Sequence, residues 1–321
     1  MGDGSDRRVF PPLTGPAWVL SGATASGKSS VAMRWAESAG GEIVSVDSIA
    51  VYRDMDIGTA KPTAEEQGRV VHHLIDVASP DEEFSVERFL RMTHAAVEDI
   101  RRRGRIPVLV GGTPMYLKGL LRGFDPGPPA DETFRGAVAD DVRRHGADAL
   151  HRRLWQVDPV SAARIDPTDV RRMTRALEVS YLTGRPISHR QTQFDAPAAL
   201  TVTAIRWPRQ TLHRRINART DAMFDAGLVD EVRTLLRRYP GWTNSSREAV
   251  GYREVIAMLE ENPDPTPDQI SACRDEVATH TRQLAKRQET WLRGLTEVRF
   301  VDVSDEADLE AIEPPKTSLP T

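Results

Sequence analysis

The sequence predicts an α/β fold: a P-loop NTPase-like core on a parallel sheet, interrupted by a small helical insertion domain. Three observations carry that expectation. Short apolar runs of strand type alternate with helical patterns over roughly the first 110 residues, joined by short turns. A glycine-rich turn stands between the first such strand and the first helix. From the Pro- and Gly-dense stretch 123–129 to about Gln193 the pattern is helical, and 201–205 then returns to β character.

Taken in order, Ala17-Trp18-Val19-Leu20 is short and wholly apolar, as a buried parallel strand requires. After the glycine-rich turn, 29–39 reads as a helix with Val31, Ala32 and Trp35 on one face. The run 42–46 reads as a second strand and ends on Asp47. A long helix is expected over 84–103, where Phe89, Met92, Ala96 and Ile100 keep helical spacing. The run 106–110 reads as another buried strand, stopped by Gly111-Gly112, and further helices are expected at 212–227, 229–239 and 271–293. The resulting organisation is a disordered tail over 1–14, a core of 15–125 plus 197–302, an insertion over 126–196 and a loose tail over 303–321.

Composition narrows the function classes. The 321 residues carry 43 Lys+Arg against 47 Asp+Glu, a net charge of −4, which excludes a uniformly basic nucleic-acid binder. Charge is uneven, however: 143–190 holds ten Arg and five acids, a local excess of +5. The single cysteine, Cys273, excludes an internal disulfide framework and fits a reducing compartment. No apolar run reaches the ~18 residues that span a bilayer, and the prolines 11, 12 and 16 break up the only segment resembling an export signal. A cytoplasmic protein without a membrane partner is expected.

Gly22-Ala23-Thr24-Ala25-Ser26-Gly27-Lys28-Ser29 matches the G-x-x-x-x-G-K-[ST] pattern in full, with a strand before it and a helix after. Glycines let the backbone N–H groups curl around phosphate oxygens while the helix N-terminus faces the same charge. Lys28 adds a point charge to the outer phosphate, and Ser29 offers a hydroxyl to Mg2+. The motif alone leaves the phosphate compound open. A nucleotide hydrolase holds magnesium with an acid at a strand end, yet 106–110 runs into Gly111-Gly112-Thr113. Asp47 and Asp76 are the other acids at strand ends, as magnesium ligand, base or cap.

Beyond that loop, several blocks in order resemble the bacterial tRNA dimethylallyltransferase (tRNA isopentenyltransferase) family. They are Ser45-Val46-Asp47-Ser48, Val51-Tyr52-Arg53, and Met55-Asp56-Ile57-Gly58-Thr59-Ala60-Lys61-Pro62. His72-His73-Leu74-Ile75-Asp76, Val110-Gly111-Gly112-Thr113 and Arg175-Ala176-Leu177-Glu178-Val179 follow. Gly251-Tyr252-Arg253-Glu254 and Thr281-Arg282-Gln283-Leu284-Ala285-Lys286-Arg287-Gln288 complete the set, which covers about 17–300. The resemblance implies transfer of a dimethylallyl group from dimethylallyl diphosphate to the N6 amine of the adenosine 3′ of the anticodon, in tRNAs reading codons that begin with U. The phosphate loop would then hold the donor diphosphate, and no γ-phosphate is attacked.

The same resemblance implies the site. Asp47 is the expected general base, placed where open α/β sheets keep their sites. Thr113 would donate to the bridging oxygen that leaves, and Arg219 would neutralise the developing diphosphate charge. The anticodon stem-loop is expected on Asp47, Ser48, Ile49, Ala50, Pro114 and Arg135. Further contacts are implied at Arg171-Arg172-Met173-Thr174-Arg175, Gly251-Tyr252-Arg253, Thr281-Arg282-Gln283 and Lys286-Arg287-Gln288. On the last of these helices Val277, Leu284 and Trp291 are expected to face the core. Ala23, Ala50 and Pro114 depart from the usual family residues (Pro, Gln, and Gly or Met), none of them at a position given a chemical role. His72-His73 has no partners at zinc spacing and reads as structural. A monomer is expected. The competing readings are a P-loop kinase of a small metabolite, which turns over ATP without RNA, and a nucleotide-binding switch.

Overall fold

In the computed structural model, which describes residues 9–191 and 200–315, the strand-like runs form one six-stranded, wholly parallel sheet. The strands are β1 (Trp18–Gly22), β2 (Glu42–Val46), β3 (His72–His73), β4 (Pro107–Gly111), β5 (Val202–Arg206) and β6 (Val298–Asp302). Their spatial order is β3-β2-β4-β1-β5-β6. Every residue of β1, β2 and β4 is buried, which is why these runs are continuous rather than alternating in hydrophobicity. β6 is different. It is an edge strand with no fully buried residue, and Arg299 and Asp302 interrupt its apolar positions, so it does not read as a strand from sequence.

The chain divides into two compact units. One comprises Pro12–Leu121 and Pro197–Thr321 and contains the sheet. Its core sets Val31, Ala32 and Trp35 of the Lys28–Ala39 helix against the sheet, with the Trp18 and Trp35 rings edge-on at 5.9 Å. The other comprises Met1–Pro11 and Arg122–Ala196. There the helices Glu132–His145, Ala147–Val157 and Val170–Thr183 enclose a small core of Val138, Leu150, Leu154, Met173 and Leu177.

Both expected tails need correction. Residues 1–8 lie outside the described residues, but Phe10 is buried and exchanges two backbone hydrogen bonds with Phe124 at 2.9 Å. Leu13 is buried as well, its N–H donating to the Leu120 carbonyl. At the other end, 316–321 lie outside the described residues, yet 303–315 are packed: Val303, Leu309 and Ile312 are buried around the short helix Glu306–Glu310. The Trp35 indole donates to the Ile312 carbonyl at 2.9 Å, and Arg34 donates to that of Leu309 at 2.8 Å. Single apolar residues spaced among acids and prolines make no periodic pattern, so burial here depends on what they meet.

Of the His72-His73 pair, His73 is engaged by a buried carboxylate. His73 Nε2 lies 2.7 Å from the fully buried carboxylate of Glu42, which also accepts from Arg103 and Arg105. Hydrogen bonds from Arg103 hold the Glu42 carboxyl down at about 2 despite its burial. No trio of His, Cys, Asp or Glu among the described residues is arranged to hold a metal ion.

Candidate active site

A parallel sheet delivers the carboxyl ends of all its strands to one edge, and ligands of open α/β sheets bind there. Here that edge receives the phosphate loop from β1, Asp47 from β2, Gly112-Thr113 from β4 and Trp207 from β5. Gly27, at φ 87°, takes a left-handed conformation that lets the loop turn into the Lys28–Ala39 helix. The loop's outward carbonyls are taken up by protein. Trp207 donates its indole N–H to Ser26 O at 2.9 Å, and Arg215 donates to Ala25 O at 2.9 Å while its guanidinium lies 4.5 Å over the Trp207 ring. The hydroxyl of Ser26 is buried and has no hydrogen-bond partner among the described residues.

Three charges converge on this loop. Lys28 Nζ donates to Ala23 O at 3.3 Å. Burial, then the neighbouring Arg219 charge, pull the Lys28 ammonium down from 10.5 to about 8, while the Asp47 carboxylate works the other way. Arg219 itself is shifted downward by burial, again opposed by Asp47. Two partly desolvated cations facing a single carboxylate leave a positive excess that an anion would relieve.

Asp47 is held, not loose. Its Oδ1 accepts from the N–H groups of Ile49 at 2.8 Å and Ala50 at 3.2 Å, which leaves Oδ2 without a protein donor among the described residues. Thr113 Oγ1 accepts from Ser48 N–H at 3.0 Å and lies 3.4 Å from Ser48 Oγ, so the strand ends of β2 and β4 are tied together at the site. Arg219 is anchored by its Nη2, which donates to Thr59 O at 3.3 Å. The structure thus brings Lys28, Asp47, Thr113 and Arg219 to the same sheet edge.

A family model described as IPP transferase matches residues 50–295. The tRNA dimethylallyltransferase of Rhodopirellula baltica is 52% identical over 301 residues, covering 90% of this chain and 89% of that protein. The chain belongs to the IPP transferase family. Another relative, the tRNA dimethylallyltransferase of Halorhodospira halophila, is 47% identical over 298 residues, with 90% and 93% covered. Among solved structures, the tRNA isopentenylpyrophosphate transferase of Bacillus halodurans matches with a TM-score of 0.64 at 38% identity, over 91% of this chain and 92% of that one. A eukaryotic dimethylallyltransferase acting on tRNA matches with a TM-score of 0.75 at 26% identity, over 93% and 76%.

Within this IPP transferase fold, the residues expected to meet RNA fall into distinct groups. Arg171 and Arg172 are exposed at the start of the Val170–Thr183 helix, where Arg172 forms a surface pair with Asp169 at 3.2 Å. Arg135 and Arg175 are not free: both bind the buried carboxylate of Glu178, at 2.8 and 2.5 Å, and Arg175 also donates to the carbonyls of Pro126 and Pro128. Met173, expected at an RNA surface, belongs to the small helical core instead, and Thr174 is half-buried beside it. Tyr252 is likewise a fully buried side chain, and Arg253 is paired with Glu254.

On the Pro267–Arg293 helix Gln283, Lys286 and Arg287 are exposed, while Thr281 and Arg282 are half-buried. Arg282, Lys286 and Gln283 line a groove of about 670 Å³ with Arg209, His213 and Arg293, floored by Trp207, Leu212 and Ala285. The buried face of this helix is Cys273, Val277, Ala278, Ala285 and Leu292; Leu284 and Trp291 are not part of it. Gln288 shares that face, three residues after Ala285 and four before Leu292, and turns inward. Its Oε1 accepts from Thr24 N–H at 2.9 Å and its Nε2 donates to Gly112 O at 3.2 Å, bridging the phosphate loop to the turn that carries Thr113. Helical spacing from Ala285 is the signal for this inward role.

Proposed function

We propose that this chain transfers the dimethylallyl group from dimethylallyl diphosphate to the N6 amine of the adenosine 3′-adjacent to the anticodon, in tRNAs reading codons that begin with U, releasing diphosphate. The observation that carries the reading is the convergence of Lys28 and Arg219 on the phosphate loop with the fixed carboxylate of Asp47 beside them. The named relatives, tRNA dimethylallyltransferases spanned almost end to end by this chain, support it.

The chemistry follows from what each group can do. The amine nitrogen forms a bond to the first carbon of the allyl chain as that carbon's bond to the bridging oxygen breaks, and the electron pair leaves with diphosphate. Lys28, Arg219 and the loop N–H groups stabilise the charge that grows there. Thr113 donates to the leaving oxygen from the turn after β4, with its hydroxyl anchored by Ser48. Oδ2 of Asp47 accepts the proton that the amine must lose, while its Oδ1 stays fixed by two backbone N–H groups. The adenosine leaves its stack to reach this carboxylate, as base-modifying enzymes require.

Mg2+ fits as a companion of the diphosphate. The Ser29 hydroxyl is exposed at the start of the helix, and magnesium is commonly held by one or two protein groups plus substrate phosphates. When bound, the ion would neutralise part of the diphosphate charge. The exposed arginines Arg171 and Arg172 and the residues Arg282, Lys286 and Arg287 are the proposed tRNA-phosphate contacts, which position the RNA rather than read it. We take the enzyme to act as a monomer in the cytoplasm, where its tRNA substrate is found; no helix among the described residues is long and apolar enough to cross a membrane. Incubation with labelled dimethylallyl diphosphate and unmodified tRNA, beside an ATPase assay, tests the whole. Label in tRNA without ATP turnover is expected; ATP turnover on a small metabolite with no labelled tRNA would replace the transferase by a kinase.

A further inference from the structure

Arg219 reaches the site from the Arg209–Asp225 helix on a long side chain, and the acceptor that fixes its guanidinium is the backbone carbonyl of Thr59. Thr59 lies in the segment 53–63, which contains neither helix nor sheet strand. A segment without a ladder has to be held by side chains, and here the holding group is one carboxylate. Glu231 Oε2 accepts from the N–H groups of Asp56 at 3.1 Å and Ile57 at 2.7 Å, and Oε1 from Gly58 N–H at 3.3 Å. The Tyr252 hydroxyl donates to the same Oε1 at 2.7 Å.

The far side is closed by packing. Tyr252 is fully buried, and a side chain on Gly58 would place its Cβ 2.5 Å from the Tyr252 ring. The loop's other end is fixed by Lys61, which donates to Tyr52 O at 2.6 Å and pairs with Asp56 at 2.8 Å and Asp76 at 2.5 Å. Thr59 Oγ1 donates to Met55 O at 2.6 Å, so the carbonyl that Arg219 uses is oriented from both directions. Burial, with the Glu231 carboxylate next in weight, raises the Tyr252 phenol far above its ordinary range, which keeps it protonated as a donor.

We infer that Glu231, buttressed by Tyr252, is a positioning residue for the transfer reaction: it fixes the 56–58 backbone so that Thr59 O aims the Arg219 guanidinium at the departing diphosphate. Glu231 has four donors on its two oxygens and is therefore occupied as a strut rather than as an acid, base or ligand contact. This inference rests on the reading of Arg219 as a diphosphate contact.

The test is a double-mutant cycle of Glu231→Gln with Arg219→Ala, read as single-turnover prenyl transfer and as affinity for inorganic diphosphate. In Glu231→Gln an amide NH2 faces at least one backbone N–H whichever way it turns, so the loop must shift. Transfer should slow on the order of 10- to 100-fold in the otherwise unchanged enzyme, as an ångström of misplacement does, and diphosphate affinity should fall with it. In the Arg219→Ala background the same change should have almost no further effect. Losses that multiply, or a normal rate in Glu231→Gln, would overturn the inference. If Glu231→Gln does not fold by circular dichroism, Tyr252→Phe, which removes one hydroxyl from a ring that stays packed, runs the same cycle and decides it. An unmodified enzyme that transfers no prenyl group defeats the functional reading itself, whereas transfer with multiplying losses defeats only the role of Glu231.

Discussion

The cations at the sheet edge and the arginines of the helical unit look alike in a charge count and behave differently in space. At the edge, Lys28 and Arg219 are partly desolvated around one carboxylate, and both are shifted toward losing their protons. In the helical unit the cations among the described residues are partnered or solvated. Arg135 and Arg175 clamp buried Glu178, Arg143 pairs with Asp140, Arg153 with Asp141, and Arg172 with Asp169. Uncompensated, desolvated charge is set up for an anion; compensated charge stabilises a fold or stays in water. The local excess of +5 therefore overstates how much of this unit is available to RNA.

The sharpest way to break the comparison is at Asp47. Asp47→Asn should slow single-turnover transfer by on the order of 10²–10⁴, because it loses the charge and the proton acceptor while keeping the size; substrate affinities should change far less, since the loop and the arginines do most of the binding. A loss under tenfold, or rescue by added magnesium, would make Asp47 a metal ligand or a plain cap.

On the other side of the comparison, Glu178→Ala should cost the helical unit roughly 1–3 kcal/mol in urea unfolding, since two partly exposed arginines lose the charge-assisted hydrogen bonds of a buried partner. Arg171→Ala and Arg172→Ala should leave stability within ~0.5 kcal/mol and weaken tRNA binding instead. Equal destabilisation by all three would mean that the exposed arginines are structural too.

A smaller effect comes from the Lys28 titration. Its pKa of about 8 means that the ammonium is present below that pH and lost above it. kcat/KM for the donor, which reports the free enzyme, should then fall about tenfold per pH unit above that value. At saturating donor the bound diphosphate holds the proton on, so kcat should persist to higher pH. A donor kcat/KM flat to about pH 10, the ordinary lysine range, would show that Lys28 does not carry donor binding.

The smallest change is electrostatic. Neutralising Arg282, Lys286 and Arg287 together should lower the salt slope of tRNA binding by about one for each phosphate no longer neutralised. Among the described residues Arg282 is the one of the three already bonded to protein, to Asn217 at 2.6 Å and Thr279 at 2.8 Å, so it should contribute least.

The phosphate loop was legible because its motif, its preceding strand and its following helix are contiguous, and contiguous residues constrain one another through backbone geometry alone. The same holds for β1, β2 and β4, whose burial on both faces leaves apolar runs in the sequence. Gln288 reads only as an RNA contact from its place in a basic run; its inward spacing counts from Ala285 and Leu292, which the expected core face of Val277, Leu284 and Trp291 does not include. Glu231 carried no signal. Its partners at 56–58 lie some 175 residues away, and nothing in a helix reading Leu-Val-Asp-Glu-Val marks one acid as a strut.

By itself, then, the sequence determined the parallel core, the phosphate loop and the set of residue types from which a diphosphate site can be made, because each depends on local spacing. Only the tertiary structure decided which cations stay uncompensated, which aromatic and amide side chains turn inward, and that the chain ends from Phe10 and through Ile312 pack rather than hang loose. Those outcomes depend on desolvation and on partners distant in the chain. A charge or an apolar residue has no fixed role until the fold sets what stands opposite it.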